Sequence, residues 1–589
     1  MKTFKKLLFL LTPHERKRAG LLLIMIVIMA FLDMVGVASI FPFMAVLTNP
    51  GLIETNEILN TIFQATRIFG VENNQQFLFI LGFFVLATLI ISLTFKAFTT
   101  YAQVRFVQMR QFSIGKRLIE GYLHQPYNWF LNRNSADLGK SILSESGQVV
   151  ANGLGPLLEV IAKGMITITL IILLIIADPK LALTVGFSLG TAYGLIFYFT
   201  KNYLDFLGKN NLKNNQLRFT SISEAFGAIK EIKVGGLEQT YIQLFSKPAQ
   251  TYHQNYASSQ LVAQLPRFFL EAISFGGILI IILYIISKSG SFNSALPIIS
   301  LYIFAGYRLL PALQQIYGSF TQLAFVGPSL NRLYEDLKNL KPLNTNQDQG
   351  VLPLNKKITL KNIYYNYPNT SQAALEGINI SISAKSIIGI IGPTGSGKTT
   401  AVDIILGLLE AQKGTLEVDG KIITKQNSRS WQRSIGYVPQ HIYLSDDTVA
   451  ANIAFGVEPK DIDQEAVEKA CRVANLHNFI IDELPKKYQT ITGERGIRLS
   501  GGQRQRIGIA RALYHKPKII IFDESTSALD NKTEQVVMDA VYNLNKEITI
   551  ILITHRLNTV KNCDTIFKLD KGKLVAQGTY QELIVDNQI

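Results

Sequence analysis

Six apolar stretches dictate most of what this 589-residue chain can become: residues 20–47, 76–100, 156–177, 181–200, 266–287 and 295–324. Each is near the ~20 residues that an α-helix needs to cross the hydrocarbon of a bilayer. No water is available there to satisfy peptide groups, so such stretches are forced into helices that close their hydrogen bonds internally. The 48% hydrophobic content is high for a soluble protein, and the spans account for it. Leu21 to Leu47 is too long for the core of a signal peptide and lacks a small-residue cleavage site, so it is expected to stay as a span.

The connections orient these spans. Asp178-Pro179-Lys180 and roughly Lys288 to Ser294 are tight turns, expected outside. By contrast, 101–155 and 201–265 are long, polar and helical in pattern, and they lie on the side that the basic residues mark as cytosolic. Those helices should continue beyond the bilayer as stalks, each turning at its tip in a coupling segment; the candidates are Gln125 to Phe130 and Glu224 to Lys230. Met1 to Leu11 reads as a short amphipathic helix on the inner membrane surface, stopped by Thr12-Pro13. In the outer loop Asn49 to Gln75, Ile53, Ile58, Leu59, Ile62 and Phe63 alternate with polar residues as in a small amphipathic helix, either a cap on the spans or a substrate-handling element.

The net charge of +15 invites a nucleic-acid reading, but Lys2, Lys5, Lys6, Arg16, Lys17 and Arg18 sit beside the first span. That distribution follows the positive-inside rule and argues against a nucleic-acid partner. The only cysteines, Cys471 and Cys563, are too few for a metal site and read as inert cytosolic thiols.

The C-terminal part obeys a different constraint. Gly392-Pro393-Thr394-Gly395-Ser396-Gly397-Lys398-Thr399 has the spacing G-x-x-x-x-G-K-[ST] and follows the apolar run Ile387 to Ile391, a strand feeding a phosphate loop. Glycines let the backbone N–H groups curl inward onto a phosphate, Lys398 adds a point charge, and Thr399 offers Mg²⁺ a hydroxyl. Thr400 follows in a helix whose positive end faces the same anion. Further on, Leu499-Ser500-Gly501-Gly502-Gln503 precedes Ile519-Ile520-Ile521-Phe522-Asp523-Glu524. An apolar strand ending in two acids can put Asp523 on Mg²⁺ through water and leave Glu524 to polarise the attacking water.

Over roughly residues 355–585 these motifs resemble the ATP-binding-cassette (ABC) ATPases. The resemblance implies ATP with Mg²⁺ as cofactors, Tyr367 stacking on adenine, and Gln440 reaching the metal or the water and reporting nucleotide state. It implies a D-loop at Ser527-Ala528-Leu529-Asp530 and His555 bonding the γ-phosphate. The signature residues Ser500, Gly501, Gly502 and Gln503 would cap a nucleotide held by a second copy. One cassette per chain then implies a symmetric homodimer around two ATP molecules. The expected fold is an all-α polytopic membrane domain of six helices with long cytosolic extensions (1–335), a linker (336–355, polar from 340), and an α/β P-loop domain of ABC type (356–589).

Such half-transporters resemble exporters, integral to the bacterial inner membrane with N-terminus and ATPase domain cytoplasmic. Ionisable residues inside spans are costly and default to functional candidates; here they include Asp33, Lys96, Glu159, Lys163, Arg267, Glu271 and Arg308. Leu265 to Glu271 and Gly306 to Pro311 are similar to segments of the flippases for lipid-linked oligosaccharides in bacterial protein N-glycosylation. That likeness implies a lipid pyrophosphate held by Arg267, Arg308 and, at a position where the pattern has arginine, Lys96. Lysine keeps the charge and loses the bidentate fork. An internal pair between Arg267 and Glu271 is the alternative. The expected cargo is a polyprenyl-linked saccharide or related glycolipid; exporters of lipid A, drugs or peptides share the ATPase mechanism, and regulators or DNA-repair ATPases lack the spans.

Overall fold

The computed structural model describes residues 2–67, 71–177, 179–289, 292–340, 350–368, 370, 372–524, 531–542 and 547–585. Its contacts divide the chain into two compact units, one of residues 1–125 with 132–342 and the other of 126–131 with 343–589.

The first unit is helical. After Lys2–Leu10, Thr12 caps the next helix: its Oγ1 accepts from Glu15 N at 3.3 Å while Glu15 Oε2 accepts from Thr12 N at 2.8 Å. With Pro13 at the first helical position, where its missing N–H costs nothing, the chain must stop and restart here. The first span is not one helix but two, Pro13–Ala38 and Ile40–Thr48. Ser39 Oγ donates back to Gly36 O at 2.9 Å at the break, a local bond of the kind that bends helices.

Asn74–Leu123 is a single helix of 50 residues. At 1.5 Å per residue it is ~75 Å long, well over twice the ~30 Å hydrocarbon core, as the stalk reading requires. Pro179–Gly227, Glu238–Ser289 and Phe292–Asn339 are comparably long. Among the described residues, Pro13–Thr48, Asn74–Leu123, Ser135–Ala177 and Ala182–Gly227 are long and apolar enough to cross a membrane. The expected fifth and sixth spans fall within Glu238–Ser289 and Phe292–Asn339. Asp178 and residues 290–291, in the two expected outer turns, and 341–349 of the linker lie outside the described residues.

The first stalk pair turns through the short helix Tyr127–Phe130, which Pro126 introduces in extended conformation. The second turn lies a few residues later than its pattern predicts. The helix runs to Gly227, the cross-piece is Ile229–Gly235, and Gly236 ends it at φ 61°. In the outer loop, Asn56 caps Glu57–Thr66, which packs Leu59 and Phe63 with Val46, Ile53, Phe77 and Leu81 while Ile58 stays exposed.

The second unit contains two sheets. Antiparallel strands β1 (Lys357–Tyr365), β2 (Leu375–Ser383), β4 (Lys413–Val418) and β5 (Lys421–Ile422) lie in the order β2-β1-β4-β5. The other sheet runs β10-β9-β3-β8-β7-β6, from β3 (Ile387–Ile391), β6 (Ile435–Val438), β7 (Ile519–Asp523), β8 (Thr549–Ile553), β9 (Thr565–Asp570) and β10 (Lys573–Gly578). Its strands from β9 to β6 are parallel. Every residue of β3, β7 and β8 is buried, which is why these segments read as isoleucine-rich, largely apolar runs instead of alternating. Cys471 and Cys563 are buried free thiols, each pushed by burial up to about 12.

In the membrane unit Pro179–Gly227 crosses Phe292–Asn339 at Gly208, where a Cβ would stand 2.1 Å from the Phe325 carbonyl oxygen. Forcing these backbones apart should cost about 1–3 kcal/mol. Gly208→Ala is therefore expected to lower the melting temperature of the detergent-purified protein by several degrees; an unchanged melting curve would show that the helices do not approach this closely.

Candidate functional site: the nucleotide cradle and a charged cluster between membrane helices

The phosphate loop leaves β3 at its buried C-terminal end. Gly392 and Gly397 take φ values of 153° and 96°, and a Cβ would meet the carbonyl oxygens of Leu569 at 2.2 Å and Ala374 at 2.6 Å. Only glycine fits this curl. The loop arches around Lys398, whose Nζ donates to the carbonyls of Gly392 (2.9 Å) and Pro393 (3.0 Å). Ser396 Oγ is buried with no hydrogen-bond partner, as suits a hydroxyl meant for an anion. Lys398–Ile405 is the helix that follows, and Thr400 Oγ1 shares a 3.2 Å hydrogen bond with Tyr367 Oη. The Tyr367 ring meets Tyr365 edge-on with centroids 5.1 Å apart.

At the end of β7, Asp523 is buried and accepts from Tyr437 Oη at 3.2 Å. Burial raises its carboxyl above the usual range. Asp403, on the helix after the phosphate loop, is also buried, and burial followed by the Asp523 charge pushes it up to about 6. Neighbouring buried acids of this kind suit a divalent cation, and Thr399 lies in the first turn of the helix that carries Asp403.

The next residue, Glu524, is held at φ 46° with its amide donating to Ile553 O at 2.9 Å. A left-handed glutamate costs about 1–3 kcal/mol and is typical of functional sites. Its Oε2 accepts from Gln440 Nε2 at 3.1 Å, and its Oε1 lies 3.4 Å from His555 Nδ1. Gln440 follows β6, Glu524 follows β7, and His555 follows β8. Adjacent parallel strands thus bring Gln440 and His555 to the Glu524 carboxylate, uniting the three residues with expected catalytic roles. The D-loop, Ser527 to Asp530, lies outside the described residues.

The signature opens the helix Gly501–Tyr514. Ser500 Oγ accepts from Gln503 N at 3.2 Å, and Gln503 Oε1 accepts from Ser500 N at 2.8 Å. This capping box uses a lone pair of the serine and leaves its proton free to donate. Among the described residues, no hydrogen bond joins Ser500–Gln503 to the loop 392–400 of the same chain.

In the membrane unit, helices meet at Asp33. Its Oδ1 accepts from Arg308 Nη1 at 2.6 Å and Ser92 Oγ at 3.2 Å, and its Oδ2 is 3.9 Å from Lys96 Nζ. Lys163 is close enough to feel the charges of Lys96, Glu159, Asp33 and Arg308. Arg267 stands apart in a 2.5 Å pair with Glu271, the alternative its spacing raised. Tyr437 and Asp403 carried no motif; only the alignment of strand ends shows that they border Asp523.

A P-loop cassette whose catalytic residues sit on parallel strand ends, joined to a polytopic helical unit, defines an ABC transporter half. The ABC transporter transmembrane region matches residues 21–307 and the ABC transporter cassette matches 375–527. The chain belongs to this family. It is 30% identical over 481 residues to an ATP-dependent lipid A-core flippase of Cupriavidus metallidurans, covering 80% of this chain and 79% of that one. It is also 31% identical over 477 residues to the alpha-hemolysin translocation ATP-binding protein HlyB of Escherichia coli, covering 80% of this chain and 66% of that one. In fold it matches a bacterial Atm1-family ABC exporter solved with ATP bound, with a TM-score of 0.77, 21% identity, and 97% and 96% of the two chains covered. The protein is an ABC exporter that couples ATP hydrolysis to transport.

Asp403 provides a test of the buried acid pair. Its proton binds near 6 in the folded cassette, against an ordinary 3.8. Its charge therefore costs stability in full above about 6, a cost that fades as pH falls toward 3.8. Asp403→Asn should raise the melting temperature at pH 7.5 by more than at pH 5, read by scanning fluorimetry without nucleotide. An equal gain at both would mean that burial beside Asp523 does not raise the Asp403 carboxyl.

Proposed function

We propose that two copies of this chain close over two ATP molecules and use that closure to flip a polyprenyl-linked saccharide, or a related anionic glycolipid, across the bacterial inner membrane. In this reading residues 1–335 form the membrane domain, 336–355 the linker and 356–589 the cassette. Tyr367 packs on the adenine, and the loop 392–397, whose residues other than Pro393 offer backbone N–H groups, surrounds the phosphates together with Lys398, Thr399 and Thr400. Thr399, Asp523 and Gln440 would hold Mg²⁺, which would supply positive charge to offset that of the phosphates.

Glu524 orients the attacking water and takes its proton, and Gln440 and His555 fix the rotamer of that carboxylate. Ser500, Gly501 and Gly502, with Gln503 as the cap, present an N-terminus and a hydroxyl proton to the nucleotide of the other copy. Closure is favoured because those γ-phosphate contacts exist only in the closed pair, and hydrolysis removes them.

The observation that carries the choice of cargo is the cluster of three cations (Lys96, Lys163, Arg308) against two carboxylates (Asp33, Glu159) among membrane helices. A surplus of positive charge in a medium of low polarity favours an anionic headgroup over a neutral drug. The lipid flippase among the relatives points the same way, and the likeness at 265–271 and 306–311 narrows the class to lipid-linked sugars. Arg267, exposed and paired with Glu271, would join the site if the anion displaced that carboxylate.

Two variants separate the halves of this scheme. Glu524→Gln should still bind ATP and accumulate as a closed dimer while steady-state hydrolysis falls by about 10²-fold or more; rapid turnover would remove Glu524 from its role. In proteoliposomes, Arg308→Gln combined with Lys96→Gln should bring the ratio of glycolipid-stimulated to unstimulated ATPase activity close to one. Stimulation retained at the wild-type ratio would refute the anionic-cargo reading.

A further inference from the structure

The two oxygens of Asp33 have different surroundings. The side chain is only 1% exposed. Oδ1 is saturated by Arg308 and Ser92, whereas Oδ2 is buried without a hydrogen-bond partner and faces the Lys96 ammonium at 3.9 Å, beyond hydrogen-bond length. The cations lie nearer the surface, with side chains 30% exposed for Lys96 and 17% for Arg308. A carboxylate thus stands behind two cations that keep part of their surface open.

A buried carboxylate is expensive unless paired, and so are clustered cations. Each group is tolerable here because of the other, yet the pairing is incomplete: Oδ2 and Lys96 attract without a hydrogen bond. An anion arriving from the open side would compete with Asp33 for the same two charges. For a transporter, that competition is useful. A site that holds its cargo too firmly cannot release it, and a resident anion weakens the hold by a set amount.

Resting on the reading of Lys96 and Arg308 as headgroup ligands, we propose that Asp33 is a built-in counter-anion. It keeps the two cations in place between cargo molecules, competes with the headgroup, and so governs affinity and release. Asp33 is a positioning residue, acting through Arg308 and Lys96.

The test uses full-length protein in proteoliposomes with polyprenyl diphosphate as probe and neutral polyprenol as control. Asp33→Asn keeps the shape and an acceptor for Ser92 and Arg308 while taking the cluster from three cations against two acids to three against one. The half-saturating diphosphate concentration for ATPase stimulation should fall by about three- to tenfold, the scale of one screened unit charge. The maximal flipping rate should fall with it, its response to polyprenol should be unaltered, and Asp33→Glu should move both values back toward wild type. An unchanged half-saturating concentration in Asp33→Asn, while Arg308→Gln combined with Lys96→Gln abolishes stimulation, would overturn the counter-anion and leave the headgroup site standing. If that double variant keeps its stimulation, the headgroup site fails and the counter-anion with it. A raised half-saturating concentration with a lowered melting temperature would make Asp33 a structural ion-pair partner only, and would equally overturn the proposal.

Discussion

The cassette depends on β8 lying between β3 and β7, with every residue of the three strands buried. Parallel strands that end together place their loops at one edge, where open α/β sheets bind ligands. The phosphate loop, the two acids and the histidine are far apart in sequence, but the pairings Ile390↔Ile553 of β3 with β8 and Phe522↔Leu552 and Asp523↔Ile553 of β7 with β8 hold their backbones in fixed register. Glu524 is the most sensitive point of this arrangement. Its strained φ and its bond to Ile553 O tie the carboxylate to β8, and Gln440 and His555 hold it from either side. A slip of one residue between β7 and β8 would turn that side chain to the other face of the sheet.

The membrane unit solves a different problem with similar means. Charges among spans are costly, and Asp33, Lys96 and Arg308 reduce that cost by sharing it across three helices. The pairing is uneven, with one carboxylate oxygen fully bonded and the other not. Such an arrangement holds the helices in place and still leaves positive charge uncommitted. Arg267 is instead paired with Glu271, one turn away on the same helix.

How much of this was legible in the sequence follows from the range of the forces involved. The phosphate loop and Asp523-Glu524 could be read because phosphate chemistry demands certain residues at fixed local spacing, whereas Gln440, His555 and the signature were picked out only by the resemblance to ABC ATPases. Stalk lengths could be read because helical periodicity simply continues past the apolar stretches. The break at Ser39 could not, since serine is common inside spans and only its bond to Gly36 O reveals the bend. The second cross-piece came out as Ile229–Gly235 because Gly236, which can adopt φ 61°, sets the turn more firmly than Gly227 does. Tyr437 on Asp523 and Arg308 on Asp33 join residues 86 and 275 positions apart, so only the tertiary fold creates them. The sequence marked Asp33 and Arg308 as unusual within spans without saying that they were partners.

The two cysteines have a practical consequence. Cys471 and Cys563 sit in the cassette interior with thiols pushed up to about 12, so almost none of either is thiolate at neutral pH. Alkylating reagents attack the thiolate and need access to it. To maleimides and spin labels the folded protein therefore behaves as though it had no cysteine. Single reporter cysteines could be introduced on the stalks or the signature helix, and distances followed through the transport cycle, without first removing the native pair.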